Sequence, residues 1–124
     1  MALSKKAILA AKDVKLDGPV PVPEWGGDVF IKTLSGTERD AFEDSYASDK
    51  MRNFRSRFLV LTLCDESGDR LFADGEVEQL GKKSAIVINR LFDKAWAVNA
   101  FRTEDVEALG KDSPSVQSEG STSA

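Results

Sequence analysis

The sequence predicts an α+β fold, mainly α, in which a small N-terminal antiparallel β-hairpin is followed by a compact helical bundle. Three observations support this prediction. Apolar residues recur at helical spacing from Ser84 to Asn99. A β-branched and aromatic run, DVFIKTL at 28–34, follows a glycine-containing turn, as expected of a strand. Between these segments, Ser35 and Glu38 have the spacing of a capping box, which marks the start of a helix.

Composition limits the classes of function. A chain of 124 residues with 41% hydrophobic residues predicts one domain, which we assign to residues 1–111, with a disordered serine-rich tail at 112–124. The net charge of −4 argues against a general nucleic-acid-binding role, because such a field repels phosphate backbones. Histidine is absent, so the commonest general base and transition-metal ligand is missing. The single cysteine, Cys64, ends an apolar run and favours a buried small hydrophobe over a reactive thiol.

The N-terminal segment predicts a helix of one or two turns capped by Ser4. Its apolar stretch, 7–11, is too short for an export signal or a membrane span. Residues 14–22 then alternate apolar with other residues, and the prolines among them indicate a sheet edge. With the turn at 25–28 and the strand at 28–34, they predict an antiparallel hairpin, with a third strand as an alternative.

A first helix is predicted after Ser35, ending near 48–49. Its inner face is expected to carry Ala41, Phe42, Ser45 and Tyr46, and its outer face Glu38, Asp40, Glu43 and Asp44.

A second helix is predicted from Met51 to Cys64, with Met51, Phe54, Phe58 and Leu61 inside and Arg52, Arg55 and Arg57 on the polar side. The run FLVLTL at 58–63 also has strand character, and we favour the helix.

The helix from Ser84 to Asn99 is predicted to be central, with Ser84 as its N-cap. Short helices are predicted at 74–81 and 103–110. The central apolar stripe is formed by Ile88, Leu91, Phe92, Ala95 and Trp96, and Ile86, Val87 and Val98 are expected to widen it.

The sequence contains no phosphate-binding loop, metal-ligand cluster or Ser/His/Asp constellation. We therefore expect a protein that is not an enzyme and uses no cofactor or metal. The basic cluster at 50–57 is interpreted as a solvated helix face, with contact to an acidic protein partner as the functional alternative. Trp25 is expected to cap the core or to be presented to a partner. The partner-binding candidates are Trp25, Phe30, Arg52, Arg55, Phe54, Phe58, Trp96 and Phe101.

Four segments carry a resemblance to a known family: PEWGG at 23–27, SGTERDAFE at 35–43, CDESGDRLF at 64–72 and LGKKSA at 80–85. With the surrounding pattern, the chain resembles the tail assembly chaperones of long-tailed phages and prophages over about residues 5–110. None of these segments is a catalytic motif. The family commonly has a Leu-Asn pair where this chain has Val98-Asn99.

The resemblance implies a role and partners. A chaperone of this family binds the tape measure protein, keeps it soluble, and promotes polymerisation of the tail tube protein around it in the bacterial host cytoplasm. It also implies a longer, frameshifted form that reaches the tail tube protein. Self-association on the partner is a further expectation; nucleic acid and membrane are not expected as partners. The alternatives are a structural tail or head-completion component and a small regulatory DNA-binding domain.

Overall fold

A computed structural model of the chain describes residues 2–99. Its elements in chain order are α1 (Lys5–Ala10), β1 (Leu16–Val22), a 3₁₀ turn (Pro23–Trp25), β2 (Gly27–Lys32), α2 (Gly36–Asp49), α3 (Phe54–Thr62), β3 (Leu63–Cys64), a second 3₁₀ turn (Asp74–Glu76), α4 (Val77–Gly81) and α5 (Ala85–Val98). The predicted, mainly helical α+β fold is confirmed. The helix expected at 103–110, the tail at 112–124 and Phe101 lie outside the described residues.

Within residues 2–99 the sheet has three antiparallel strands in the order β1-β2-β3. β2 is therefore central, and β1, which contains Pro19 and Pro21, is an edge strand as predicted. The third strand is short: Cys64 pairs with Phe30, and Leu63 pairs with Ile31. The hairpin is thus confirmed in its three-stranded form.

The second predicted helix, Met51 to Cys64, is confirmed as a helix, but it begins later and ends earlier than predicted. Lys50 and Asn53 have φ angles of 53° and 49°, so a turn rather than a helix connects α2 to α3. Met51 lies in this turn and is 58% exposed, contrary to the inner position expected for it. At the other end, the helix stops at Thr62 and the chain continues as β3.

The core lies between the sheet and helices α3 and α5. Leu91 is 1% exposed, as expected at the centre of the stripe. Ile86 is 76% exposed, so the predicted widening of the stripe fails at this position. At about 100° per residue, Ile86 lies on the opposite side of the helix from Ile88. The largest fully buried side chains are those of Phe58, Ile31, Leu59, Leu63, Leu80, Leu91, Val22, Val60, Val87, Thr62 and Cys64.

The predicted helix starts are confirmed by their hydrogen bonds. The amide of Glu38 donates to Ser35 Oγ (3.2 Å), and the amide of Ser35 donates to Glu38 Oε1 (2.9 Å), which completes the capping box. Ser4 accepts from the amide of Ala7 (3.1 Å) in α1. Ser84 accepts from the amide of Ile86 (3.2 Å) in α5. These caps satisfy amides that a helix leaves without internal partners.

Helix α2 packs on the domain along a narrower strip than predicted. Phe42 is its only buried residue, whereas Ala41 is exposed and Tyr46 is half exposed. Glu38, expected outside, is partly buried because its carboxylate accepts a hydrogen bond from Lys32 Nζ at 2.7 Å. Much of the surface of α2 therefore faces away from the core.

Candidate partner-binding surface

Within residues 2–99, no group of three or more His, Cys, Asp and Glu residues is arranged to hold a metal ion. The thiol of Cys64 is buried, and burial raises its pKa. A thiol kept in its neutral form is a poor nucleophile. None of the helices described here has the length and apolar content that a membrane span requires.

In the part of the chain that the structure describes, three helices each carry a pair of aromatic residues four positions apart. Residues at this spacing lie on the same face of a helix, so each helix directs two rings to one place. The pairs are Phe42 and Tyr46 in α2, Phe54 and Phe58 in α3, and Phe92 and Trp96 in α5.

We call these six residues the aromatic cluster, and Phe58 lies at its centre. Its ring centroid lies 5.1 Å from that of Phe42, 5.2 Å from that of Trp96 and 5.6 Å from that of Phe92. The rings meet at tilted or edge-to-face angles, the arrangements that aromatic quadrupoles favour. Phe58 is fully buried, so its ring packs against the other rings from the core side and is not exposed on the surface of the cluster.

The outer layer of the cluster reaches solvent. Phe54 lies 5.6 Å from Phe92 and 5.7 Å from Tyr46, between centroids, and Tyr46 is 46% exposed. Phe54, Phe92 and Trp96 are partly buried. We call Tyr46, Phe54, Phe92 and Trp96 the aromatic face. It lies where the C-terminal end of α2, the start of α3 and the second half of α5 meet.

The predicted basic cluster at 50–57 contains both exposed and buried arginines. The guanidinium carbon of Arg55 lies 5.6 Å from the ring centroid of Phe92, within the range of a cation–π contact. Arg52 is exposed and pairs with Glu78 at 3.0 Å. Arg57, expected on the polar side, is buried: it donates to Ser45 Oγ (3.0 Å) and to the Lys50 carbonyl (2.6 Å). Through these hydrogen bonds Arg57 stabilises the turn between α2 and α3.

The structure groups some of the predicted candidates and separates others. Phe54, Phe58, Trp96 and Arg55 come together at the aromatic cluster. Trp25 lies in the first 3₁₀ turn and packs against the core, and Phe30 lies in the central strand of the sheet.

Tyr46 and Phe92 are not among the partner-binding candidates predicted from the sequence. The shared four-residue spacing of the three aromatic pairs is the signal that would have found both.

Clustered, partly exposed aromatic side chains are typical of protein–protein interaction sites, where rigid rings supply contact area at low entropic cost. A small α+β domain with such a surface has the properties of a protein-binding domain.

The comparisons with known proteins identify the family. A family model described as phage tail assembly chaperone matches residues 4–111, and the chain belongs to this family. Among solved structures, the tail assembly chaperone of bacteriophage HK97 matches with a TM-score of 0.59 at 24% sequence identity. The match covers 75% of this chain and 90% of that chain, and it supports the fold. A search of curated proteins finds no significant match.

Proposed function

We propose that this tail assembly chaperone binds the tape measure protein in the bacterial host cytoplasm, keeps it soluble, and promotes polymerisation of the tail tube around it. Family membership supports the chaperone role. The observation that carries the binding role is the aromatic face, in which four rings from three helices form one partly exposed surface.

The exposed apolar surface of an unassembled tape measure protein gives a physical reason for such a chaperone. A tape measure protein is a long helical chain with apolar stripes, and these stripes promote aggregation until the tube encloses them. An amphipathic helix binds by laying its apolar side chains against an apolar surface. The aromatic face offers such a surface, and Arg55 beside it offers a positive charge to an acidic residue flanking the stripe.

Co-expression of the chaperone with the tape measure protein of the same phage tests the proposal. The tape measure protein should move from the insoluble to the soluble fraction and should co-purify with several chaperone copies. Equal solubility of the tape measure protein without the chaperone would contradict the proposal. Retardation of duplex DNA with no such complex would favour the regulatory alternative.

We further propose a longer form that connects the chaperone to the tail tube protein. Gly81-Lys82 and Gly110-Lys111 are encodable by a run of G followed by A, on which ribosomes can slip. The second pair is the better candidate because it lies at the predicted boundary between domain and tail. Mass spectrometry of phage-producing cells should find a longer product that shares residues 1 to about 110. Detection of the 124-residue form alone during tail assembly would contradict this proposal.

A further inference from the structure

The chain leaves the described residues beside the aromatic face. Trp96, which belongs to that face, lies in the last turn of α5, about 4.5 Å along the helix axis from Asn99. Asn99 is held in place, because its side chain accepts a hydrogen bond from the amide of Leu34 (2.7 Å) and donates one to the carbonyl of Ala95 (2.9 Å). The chain beyond Asn99 therefore starts from a fixed point next to the aromatic face.

The aromatic face lies over a gap between two helices. Helices α2 and α5 both pack on α3, and neither packs extensively on the other. Phe54 of α3 lies between them, with its ring centroid 5.7 Å from that of Tyr46 in α2 and 6.1 Å from that of Trp96 in α5. Tyr46 is 46% exposed and Phe54 is only partly buried. The gap therefore offers an apolar surface to a further helix.

Residues 101–110 have the apolar pattern that suits this surface. In the helix predicted at 103–110, Val106 and Leu109 are three positions apart and share one side. Phe101 precedes this helix and follows Asn99 by two positions, so it reaches the face without a long connection. A helix of this length is about 12 Å long, which is enough to span the gap.

The charges of the segment complement the edge of the aromatic face. Residues 101–110 contain three acidic residues and one arginine, a net charge of −2. At about 100° per residue, Asp105 and Glu107 flank the apolar side of the predicted helix, one on each side. The guanidinium carbon of Arg55 lies 5.6 Å from the ring centroid of Phe92 at the edge of the face. An acidic side chain can therefore meet Arg55 while the apolar side meets the rings.

We propose that residues 101–110 pack on the aromatic face of their own chain and are displaced by the tape measure protein. The short connection to Asn99 gives the segment a high effective concentration at its own face, which favours it over the same segment of a second copy. The packing requires no partner and goes beyond the proposed function, whereas the displacement rests on that function. Because the two ligands compete, the segment lowers the apparent affinity for the partner.

A spin label tests the packing in the full chain. Ser113→Cys places a nitroxide just beyond the segment, and Cys64 is buried and should remain unlabelled. The label should broaden the amide NMR signals of residues 46–55. Val106→Asp with Leu109→Asp should remove most of this broadening. Val116→Asp, the same kind of change in the tail, is the matched control and should leave the broadening intact.

A mixed sample separates packing within one chain from packing between copies. Chains enriched in nitrogen-15 but without the nitroxide are mixed with spin-labelled chains of natural isotope content. The signals of residues 46–55 should then stay sharp. Broadening in the mixed sample equal to that in the singly labelled chain would overturn the proposal, because it would place the segment on a second copy.

Charge reversal tests the contact with Arg55. Arg55→Glu alone, and Asp105→Lys with Glu107→Lys, should each reduce the broadening, and all three changes together should restore it. Asp112→Lys with Glu119→Lys makes the same change in net charge in the tail and should have no effect. Equal effects of the two acidic pairs would overturn the assigned contact.

Binding to the tape measure protein tests the displacement. The variant with Val106→Asp and Leu109→Asp should bind the tape measure protein at least about fivefold more tightly than wild type, and Val116→Asp should bind as wild type does. Absence of broadening in the wild-type sequence, or broadening that survives the Val106 and Leu109 changes, would overturn the packing. Normal packing with unchanged affinity of the variant would overturn the displacement alone, since the tape measure protein would then still bind.

Discussion

The guanidinium of Arg90 in α5 donates two hydrogen bonds, of 2.9 and 2.7 Å, to the carboxylate of Glu24 in the first 3₁₀ turn. The same helix also pairs with the edge strand β1, because Lys94 Nζ lies 3.4 Å from Asp17 Oδ2. These pairs connect the edge strand and the first 3₁₀ turn to α5 on the solvent side. The hydrogen bonds from Arg90 also hold the pKa of Glu24 at about 2, below its ordinary value of 4.5.

This pKa shift predicts a pH dependence of stability. Because the folded state favours the ionised carboxylate, the contribution of Glu24 is present above about pH 4.5 and is lost as the pH falls towards 2. Glu24→Gln should therefore flatten the decline of melting temperature with acidification in this window. Glu66→Gln, in an exposed turn, is the control. Identical acid profiles for wild type and Glu24→Gln would contradict the prediction.

Leu91→Ala tests the contribution of α5 to the core. The side chain is fully buried, so its truncation should lower the free energy of unfolding by about 2–5 kcal/mol. Ile86→Ala, on the exposed side of the same helix, should change it by less than about 0.5 kcal/mol. Denaturant titration of both variants measures the difference. Similar values for the two would show that the core is not organised around Leu91.

The sequence was most informative where one local rule decides the structure. The capping box at Ser35 and the apolar stripe around Leu91 follow from spacing alone, and both predictions were correct. Predictions failed where tertiary contacts compete with spacing. Arg57 has the polar character of a surface residue but is buried because the carbonyl of Lys50 and the hydroxyl of Ser45 accept its hydrogen bonds. Phe54, Phe58 and Trp96 of the aromatic cluster are candidates from the sequence and Tyr46 and Phe92 are not, because the cluster forms only when three helices converge.

Arg57→Met tests the role assigned to the buried guanidinium. The substitution keeps much of the apolar stem but leaves the Lys50 carbonyl without its donor, which should cost about 1–3 kcal/mol of unfolding free energy. Arg55→Met removes an exposed cation–π contact and should cost less than about 1 kcal/mol. Thermal and denaturant unfolding would rank the two. A larger loss for Arg55→Met would contradict the assigned roles.

Asn99→Ala tests the anchor at the end of α5. The Asn99 side chain accepts a hydrogen bond from the amide of Leu34 (2.7 Å) and donates one to the carbonyl of Ala95 (2.9 Å), which joins the helix end to the chain between β2 and α2. Its loss leaves a partly buried amide unpaired and should cost about 1–3 kcal/mol. Amide hydrogen exchange should accelerate at Leu34 first. Unchanged exchange there would show that another group replaces Asn99.

A charge introduced on the aromatic face tests whether this face binds the tape measure protein. Tyr46→Lys places a charge at the exposed rim of this face without removing a buried side chain, so the melting temperature should change little. Binding should weaken by about 2 kcal/mol or more, because the lysine must lose water beside an apolar partner. Leu71→Lys is the matched control: Leu71 is 49% exposed, close to the 46% of Tyr46, and lies outside the aromatic face. In co-expression, Tyr46→Lys should leave the tape measure protein insoluble while Leu71→Lys keeps it soluble. If both variants solubilise it equally, the partner binds elsewhere even if the chaperone function stands.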